Sequence, residues 1–172
     1  MTLIGQSIGE FKLQAYVDGK IVEIDLSAYG KKTVVLVFYP LDFTFVCPTE
    51  IIGFSKCRKS FEEEGTDILL ISCDSVYSHK AWAEMKNGGI FENTLPLLSD
   101  KSGQLSRHLG IYLEEEGFSH RATIIAQDGV VVYEVIHADP IGRSSRETLR
   151  VVKALKFNQK NGAVCPFEWD GQ

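Results

Sequence analysis

The sequence has no hydrophobic run long enough to cross a membrane. Its longest uninterrupted apolar stretch is Val34 to Tyr39, far shorter than the ~20 residues that a membrane-spanning helix needs. The segment from Met1 to Glu10 has neither the basic region nor the apolar region of a secretory signal. We therefore expect a protein with no membrane contact and a cytoplasmic location.

The sequence also lacks an excess of basic residues. Its 18 lysines and arginines are outnumbered by 23 aspartates and glutamates, which gives a net charge of −5. The densest basic cluster, Lys56 to Lys59, is followed directly by the acidic run Glu62 to Glu64. A protein that binds phosphate backbones without regard to sequence needs a basic surface, so we expect no nucleic-acid partner.

No Cys-x-x-Cys pair is present. Such pairs are typical of structural zinc sites and of redox-active dithiols. The cysteines are far apart in sequence and the histidines are scattered, at Cys47, Cys57, Cys73, Cys165, His79, His108, His120 and His137. We therefore expect no metal site, and in a reducing compartment we expect all four cysteines to be thiols at rest.

What the sequence does contain is the composition of one compact domain, with 44% hydrophobic and 24% charged residues. A chain of 172 residues can bury roughly 70% of its extended surface, and no repeat or linker divides it. Asp18-Gly19 is typical of a tight hairpin turn. The continuously apolar segment Val34–Tyr39 indicates a central strand covered on both faces.

Strands and helices alternate along the chain. The predicted strands are Phe11–Tyr16, Ile21–Leu26, Val34–Tyr39, Asp67–Ser72, Leu95–Leu98, Ala122–Ala126 and Val130–Val135. The first predicted helix begins at Pro48 and is stopped by Gly65, and the next two run from Ser78 to Lys86 and from Gln104 to Leu109. The last begins at Ser144 and ends before Asn161-Gly162. This order predicts an α/β fold of the thioredoxin-like type, with a mixed central sheet flanked by helices and an added N-terminal β-hairpin.

Cys47 is distinguished by its position. It follows the loop after the central strand and directly precedes Pro48, which suits the first turn of a helix. Backbone N–H groups and the positive end of a helix favour the thiolate, which is the reactive form. On position alone, Cys47 is either a nucleophile or a buried packing residue, the common role of free cysteine. For Cys57 and Cys73, which belong to apolar elements, the packing role is favoured.

Two further residues are unusual for where they occur. Arg121 is a cation at the start of an apolar strand, where burial is costly unless an anion or a polar group faces it. Cys165 lies beyond the last helix in a polar tail, where a core cysteine would find little to pack against. We therefore predict that Cys165 is a resolving thiol rather than a packing residue.

The loop before Cys47 carries a family motif. Pro40-Leu41-Asp42-Phe43-Thr44-Phe45-Val46-Cys47 matches the Pro-x-x-x-Thr-x-x-Cys pattern of the peroxiredoxins. The resemblance covers nearly the whole chain through His79-Lys80-Ala81-Trp82, Pro96-Leu97-Leu98-Ser99-Asp100, Arg121-Ala122-Thr123-Ile124-Ile125 and Val164-Cys165-Pro166. The sequence most resembles the typical two-cysteine subgroup, close to the peroxidase component of bacterial alkyl hydroperoxide reductase and to the thioredoxin peroxidases.

The resemblance implies a thiol-dependent peroxidase that reduces hydrogen peroxide and organic hydroperoxides. Cys47 is then the peroxidatic cysteine, which becomes a sulfenic acid. Thr44 is expected to hydrogen-bond the peroxide and the thiolate, and Pro40 to shield the thiolate from water. Arg121 is expected to stabilise the charge that develops on oxygen, and Glu50, in the first helical turn, to position Arg121.

The resemblance also implies a division of the chain into a peroxidase domain, residues 1–157, and a C-terminal tail, residues 158–172. Cys165 in this tail is expected to form a disulfide with Cys47 of a second subunit. The catalytic unit is then a homodimer, and we expect the assembly to be a ring of dimers. Thioredoxin or a flavoprotein disulfide reductase is expected to reduce the disulfide, and no cofactor is required.

Two features differ from the oxidation-sensitive members of the family. Lys86–Phe91 only partly matches their Gly-Gly-Leu-Gly loop, and no Tyr-Phe tail helix follows Cys165. We therefore expect fast local unfolding around Cys47 and resistance to sulfinic-acid formation.

Two other functions are weighed against the peroxidase. A thioredoxin-like disulfide oxidoreductase needs a second cysteine three residues after Cys47, where the sequence has Glu50. A ring-forming holdase chaperone, which resemblance to this family also permits, would bind its clients through hydrophobic surface rather than through Cys47. Suppression of aggregation that survives Cys47→Ser, while peroxidase activity is lost, would distinguish the chaperone from the enzyme.

Overall fold

A computed structural model describes residues 2–170. The strands are β1 Lys12–Val17, β2 Lys20–Asp25, β3 Thr33–Phe38, β4 Thr66–Ser72, β5 Leu97–Ser99, β6 Tyr112–Leu113, β7 Phe118–Ser119, β8 Arg121–Gln127 and β9 Val130–His137. The helices are α1 Cys47–Glu63, α2 Val76–Glu84, α3 Gln104–His108 and α4 Ser145–Asn161. One mixed sheet has the strand order β2-β1-β5-β4-β3-β8-β9, and β6 pairs with β7 in a separate hairpin.

The apolar strand β3 lies inside this sheet, as predicted. It pairs in parallel with β4 and antiparallel with β8, and every one of its residues is buried. A strand that is covered on both faces has no solvent side, so its sequence is continuously apolar rather than alternating. The predicted α/β class with a mixed central sheet is confirmed.

Helices α1, α2 and α4 pack against one face of the sheet. Val35 and Val37 of β3 share a hydrophobic core with Phe54 of α1, Trp82 of α2 and Val152 of α4. The alternate β3 residues belong to a second core on the other face, together with α3 and the N-terminal segment; this core includes Leu3, Ile8, Leu36, Phe38 and Leu105. After Phe38 the chain leaves the sheet, and the loop Tyr39–Val46 leads to the start of α1.

The predicted N-terminal hairpin is present as β1 and β2. Its two loop residues, Asp18 and Gly19, have φ angles of 47° and 81°. Two consecutive positive φ values are typical of a type I′ turn, whose twist matches that of the flanking strands. β1 also pairs antiparallel with β5, so the hairpin extends the central sheet at one edge.

Several boundaries differ from those predicted. Helix α2 begins at Val76 rather than Ser78, because the Ser75 side chain accepts a hydrogen bond from the Ser78 backbone and caps the helix. The strand predicted at Leu95–Leu98 is Leu97–Ser99, since Pro96 has no N–H to donate to a ladder. The β6–β7 hairpin was not predicted, because two-residue strands are too short to show an alternating pattern.

Helix α4 continues through Asn161, past the predicted start of the tail at residue 158. Gly162 ends the helix with a φ of 64°, a left-handed conformation that glycine adopts without strain. Within residues 2–170, no helix combines the length and the apolar character needed to span a membrane.

Candidate active site

Cys47 is the first residue of α1, and its side chain is fully buried. No side chain caps this helix start, and Pro48, which has no N–H, follows directly. The backbone dipoles of the long helix α1 therefore present their positive end to the Cys47 sulfur without competition from a capping oxygen.

Arg121 lies beside this sulfur. It is the first residue of β8, and the antiparallel register that pairs Ala122 with Phe38 brings it to the end of β3 from which the loop to Cys47 departs. Arg121 Nη1 is 3.5 Å from Cys47 Sγ, and Nε donates to the Asp139 carbonyl at 3.0 Å. Arg121 is thus only 3% exposed, and it lies beside the Cys47 sulfur, which is an anion when it is deprotonated.

Glu50 completes the surroundings of Arg121. It lies one helical turn after Cys47, so both side chains project from the same side of α1. Its Oε2 accepts a hydrogen bond from Arg121 Nη1 at 2.6 Å, and both side chains are buried. Burial by itself would lower the pKa of Arg121, but the hydrogen bond to Cys47 and the charge of Glu50 raise it above its ordinary value. Arg121 is therefore always charged.

A second arginine, Arg143, was not predicted. It follows β9, and its guanidinium donates to Glu50 from Nη2 at 2.8 Å and from Nε at 3.0 Å. Its backbone N–H also donates to Glu50, at 2.6 Å, and its Nη1 donates to the carbonyls of Phe38 and Ala122, each at 2.7 Å. Arg143 thereby joins the ends of β3 and β8 to the first turn of α1.

The two arginines determine the ionisation of Glu50. Burial of the carboxyl group is the largest influence and would raise the pKa of Glu50, but the hydrogen bonds and charge of Arg143, with the charge of Arg121, hold it below its ordinary value of 4.5. Glu50 is consequently an anion at neutral pH. The buried cluster of Glu50, Arg121 and Arg143 then contains two positive charges and one negative charge before Cys47 is counted.

The loop Tyr39–Val46 contains the other two residues of the motif. Pro40 is buried, whereas Thr44 is partly exposed. The Thr44 hydroxyl donates to the Leu41 carbonyl at 3.0 Å, and among the described hydrogen bonds none joins Thr44 to Cys47. A donating hydroxyl keeps its oxygen lone pairs, so Thr44 can still accept a hydrogen bond from a bound molecule.

Asp42 fixes the same loop to the body of the protein. Its carboxylate accepts hydrogen bonds from Tyr39 Oη at 2.8 Å and from Ser78 Oγ at 2.7 Å, and it lies 2.9 Å from His79 Nδ1. Burial, with the charge of Asp42, raises the pKa of Tyr39 well above its ordinary value, so Tyr39 remains a donor. The loop that precedes Cys47 is therefore tied to α2 through buried polar contacts, which the sequence motif did not indicate.

The other cysteines lie elsewhere. Cys57 Sγ is 3.4 Å from Ser145 Oγ, between α1 and α4, and Cys73 Sγ is 3.8 Å from Ser106 Oγ. Burial raises the pKa of Cys73 to about 11, as suits a packing residue. Cys165 is half-buried against α4, with Sγ 3.4 Å from the Ala154 carbonyl. The structure thus brings Cys47, Glu50 and Arg121 together and places Cys165 on a separate surface.

Cys47 lies at the start of a helix, beside a buried arginine, and follows the loop after the central strand of a thioredoxin-like sheet. This arrangement defines a cysteine-dependent redox enzyme. The profile of the AhpC/TSA family matches residues 4–134, and the chain belongs to this family. It is a peroxiredoxin, a thiol-dependent peroxidase, as its loop motif predicted.

Individual relatives agree with this assignment. The chain is 47% identical over 169 residues to the Caenorhabditis elegans peroxiredoxin prdx-2, an alignment covering 96% of this chain and 84% of the relative. It is 40% identical over 170 residues to a thioredoxin peroxidase of Echinococcus granulosus, with coverages of 97% and 88%. The reduced 2-Cys peroxiredoxin of Plasmodium vivax superimposes with a TM-score of 0.94 at 37% identity, covering 99% of this chain and 90% of that one.

Proposed function

We propose that the protein reduces hydrogen peroxide and organic hydroperoxides at Cys47 and recycles through a disulfide with Cys165. The observation that carries this proposal is the contact between Cys47 Sγ and Arg121 Nη1, 3.5 Å apart inside a buried cluster with Glu50. A thiolate in this position is held by the helix dipole and a fixed cation, and water is largely excluded.

In the first step the Cys47 thiolate attacks the terminal oxygen of the hydroperoxide. The sulfur–oxygen bond forms as the oxygen–oxygen bond breaks, so that Cys47 becomes a sulfenic acid and the leaving oxygen takes a proton to give water or an alcohol. Arg121 is positioned to stabilise the negative charge on the reacting oxygens, and Glu50 with Arg143 keeps its guanidinium in place. Thr44 accepts a hydrogen bond from the peroxide, and Pro40 limits access of water.

In the second step the Cys165 thiolate attacks the Cys47 sulfenic sulfur. The sulfur–sulfur bond forms as the sulfur–oxygen bond breaks, and the leaving hydroxide takes a proton to give water. Because Cys165 packs on α4 and not beside Cys47, we assign this disulfide to two subunits of a homodimer and expect such dimers to form a ring. A dithiol reductant then supplies two electrons. Thioredoxin is our first choice, given the thioredoxin peroxidase among the relatives, and a flavoprotein disulfide reductase is the second. We place this reaction in the cytoplasm, where reductants of this kind keep cysteines as thiols.

A coupled assay tests the proposal and separates the two reductants. Peroxide consumption is followed by NADPH oxidation, once with thioredoxin and its reductase and once with a flavoprotein disulfide reductase. We expect rapid turnover with one of them, and a Cys47–Cys165 peptide in the oxidised protein on mass spectrometry. Cys57→Ser serves as the matched control and keeps full activity. Absence of turnover with both reductants, together with a Cys47 that stays reduced in excess peroxide, would contradict the proposal.

A further inference from the structure

The loop Tyr39–Val46 depends on helix α2 for its shape. Phe43, in the middle of this loop, has a φ of 57°, a left-handed value that costs free energy for residues other than glycine. The Phe43 ring packs on the ring of Trp82 in α2, with centroids 5.5 Å apart. The loop therefore keeps a strained backbone conformation because contacts with α2 hold it there.

Asp42 is the second attachment of this loop to the body of the protein. Besides the two hydroxyl groups that donate to its carboxylate, the ring of His79 in α2 lies close, with Nδ1 2.9 Å from Oδ2. The Asp42 backbone N–H donates to the Asp74 carboxylate, also at 2.9 Å. Asp42 is thus fixed through both its side chain and its main chain, two residues after Pro40 and two residues before Thr44.

His79 connects Asp42 with the central sheet. Its ring is completely buried, and Nε2 lies 3.1 Å from the carbonyl oxygen of Leu98 in β5. Because a carbonyl oxygen can only accept, Nε2 carries a hydrogen and donates it to Leu98. Nδ1 shares one hydrogen with the Asp42 carboxylate, so both ring nitrogens have a partner. The buried ring therefore links the loop to a strand of the sheet through two hydrogen bonds.

We infer that His79 is a positioning residue for the reaction of Cys47 with peroxide. Through Asp42, it holds the loop residues Pro40 and Thr44 in the positions from which they act on the peroxide. This inference rests on the proposed function, which assigns those two residues their roles. A displacement of about 1 Å at a reacting site can cost roughly a hundredfold in rate, so the loss of one fixed contact of the loop should be measurable.

The same link should not assist the second chemical step. In the proposed mechanism the first turn of α1 unwinds before Cys47 meets Cys165, and the loop that precedes this turn has to move with it. A link that stabilises the closed loop raises the free-energy cost of this opening. Loss of the link should therefore slow the oxidation of Cys47 without slowing the formation of the disulfide.

Two substitutions of His79 separate its hydrogen bonds from its bulk. In His79→Asn the side-chain amide takes the place of Nδ1 and keeps the contact with Asp42. In His79→Gln the amide takes the place of Nε2 and keeps only the contact with Leu98. Glutamine is closer to histidine in volume, so a packing role predicts that His79→Asn is the more harmful change. The positioning role predicts the reverse order.

Two further variants complete the experiment. Lys80→Gln is the matched control, because Lys80 is the next residue of α2 and its side chain is exposed. Tyr39→Phe removes one hydroxyl that donates to Asp42, keeps the buried ring, and gives an independent answer if a His79 variant fails to fold. Stopped-flow measurements give the rates of Cys47 oxidation and of disulfide formation separately, and thermal unfolding shows which variants are folded.

His79→Gln should slow the oxidation of Cys47 by hydrogen peroxide about tenfold and should not slow disulfide formation. His79→Asn should stay within about twofold of the parent protein in the first step, and Tyr39→Phe should slow this step about threefold. Lys80→Gln should match the parent protein in both steps.

A parent-like rate of Cys47 oxidation in His79→Gln, or in Tyr39→Phe if His79→Gln does not fold, would overturn the inference and leave the proposed function intact. Equal slowing in His79→Asn and His79→Gln would also overturn it, because that result belongs to packing alone. Slower disulfide formation in His79→Gln would do the same. A parent protein whose Cys47 does not react with peroxide would instead contradict the proposed function.

Discussion

The surroundings of Cys47 and those of Cys165 differ in almost every physical respect. Cys47 is fully buried at the start of a long helix, next to a guanidinium that is ion-paired to a buried carboxylate. Cys165 is half-buried in a loop of the C-terminal tail, between the exposed side chains of Val164 and Phe167. One thiol lies in a buried, charged pocket, and the other is held at the surface by a few contacts.

This difference matches the two chemical tasks that we propose for these thiols. A nucleophile gains from a fixed electrostatic environment that does not have to reorganise during the reaction. A resolving thiol must reach a partner, so it gains from a segment that opens at low free-energy cost. Because Cys47 is buried at the start of α1, the proposed mechanism also requires its first helical turn to unwind before the two sulfurs meet.

Cys47→Ser should abolish peroxide turnover, with a loss of at least about a thousandfold, because a serine hydroxyl at neutral pH is a poor nucleophile without an adjacent base. The measurement is the coupled NADPH assay. Cys57→Ser is the matched control in the same helix. Retention of full activity by the Cys47 variant would remove the basis of the proposed mechanism.

Cys165→Ser should lose turnover with the physiological reductant but keep the first step. Cys47 should still react with one equivalent of peroxide at the parent rate, as shown by trapping the sulfenic acid, while the reducible dimer band on a denaturing gel should disappear. A dimer band that persists in this variant would assign resolution to another thiol. An intact first step would show that the two regions act independently.

Arg121→Lys should slow the reaction of Cys47 with peroxide by about a hundredfold. Lysine keeps the positive charge but loses the planar fork, so it cannot contact the sulfur, Glu50 and the Asp139 carbonyl at the same time. The second-order rate constant with hydrogen peroxide is the measurement. An unchanged rate constant would show that charge alone, without geometry, accounts for the role of Arg121.

Glu50→Gln should lower the free energy of unfolding at pH 7 by about 3 kcal/mol, because two buried guanidinium groups lose the carboxylate between them. The folded-state pKa of Glu50 is below 4.5, so its stabilising contribution is complete above that pH and is lost as the pH falls through the folded value. Urea unfolding at a series of pH values should show the difference between parent and variant shrinking below pH 4.5. If the difference in unfolding free energy between parent and variant does not change with pH, the charge of Glu50 is not its cause.

Cys73→Ser should change the peroxidase rate less than about twofold, since a thiol with a pKa of about 11 is almost entirely protonated at neutral pH. Alkylation of Cys73 by iodoacetamide in the folded protein should rise steeply as the pH increases toward 11. The unfolded protein in guanidinium is the control and should be alkylated much faster at pH 8. Fast alkylation of folded Cys73 at pH 8 would show that this thiol is less protected than its burial indicates.

The sequence was sufficient for the features whose signals are local. The buried run of β3, the Asp18-Gly19 turn and the position of Cys47 before Pro48 each depend on neighbouring residues only, and the structure has all three elements. The loop motif added Pro40 and Thr44, which no periodicity could have indicated. Arg121 was noticed because a cation is out of place at the start of an apolar strand.

Arg143 and Trp169 could not be found in the same way. Arg143 is 93 residues from Glu50 in sequence, and a polar residue in a loop after a strand gives no sign that its side chain is buried. Trp169 stands among polar residues near the chain end, and only the fold of the tail along α4 shows that it packs on Phe157. Both depend on contacts between distant segments, which local patterns do not contain.

Arg121 and Arg143 share the carboxylate of Glu50, so the charge balance of the active site depends on the oxidation state of Cys47. Glu50 neutralises only one of the two arginines, so a Cys47 thiolate makes the buried cluster electrically neutral. When Cys47 becomes a sulfenic acid this balance is lost, and one positive charge is left uncompensated in a site with little access to water. Turnover therefore weakens the attraction that held the sulfur against Arg121. In the proposed mechanism, the same event that consumes peroxide thus favours the departure of Cys47 toward Cys165, without any separate signal.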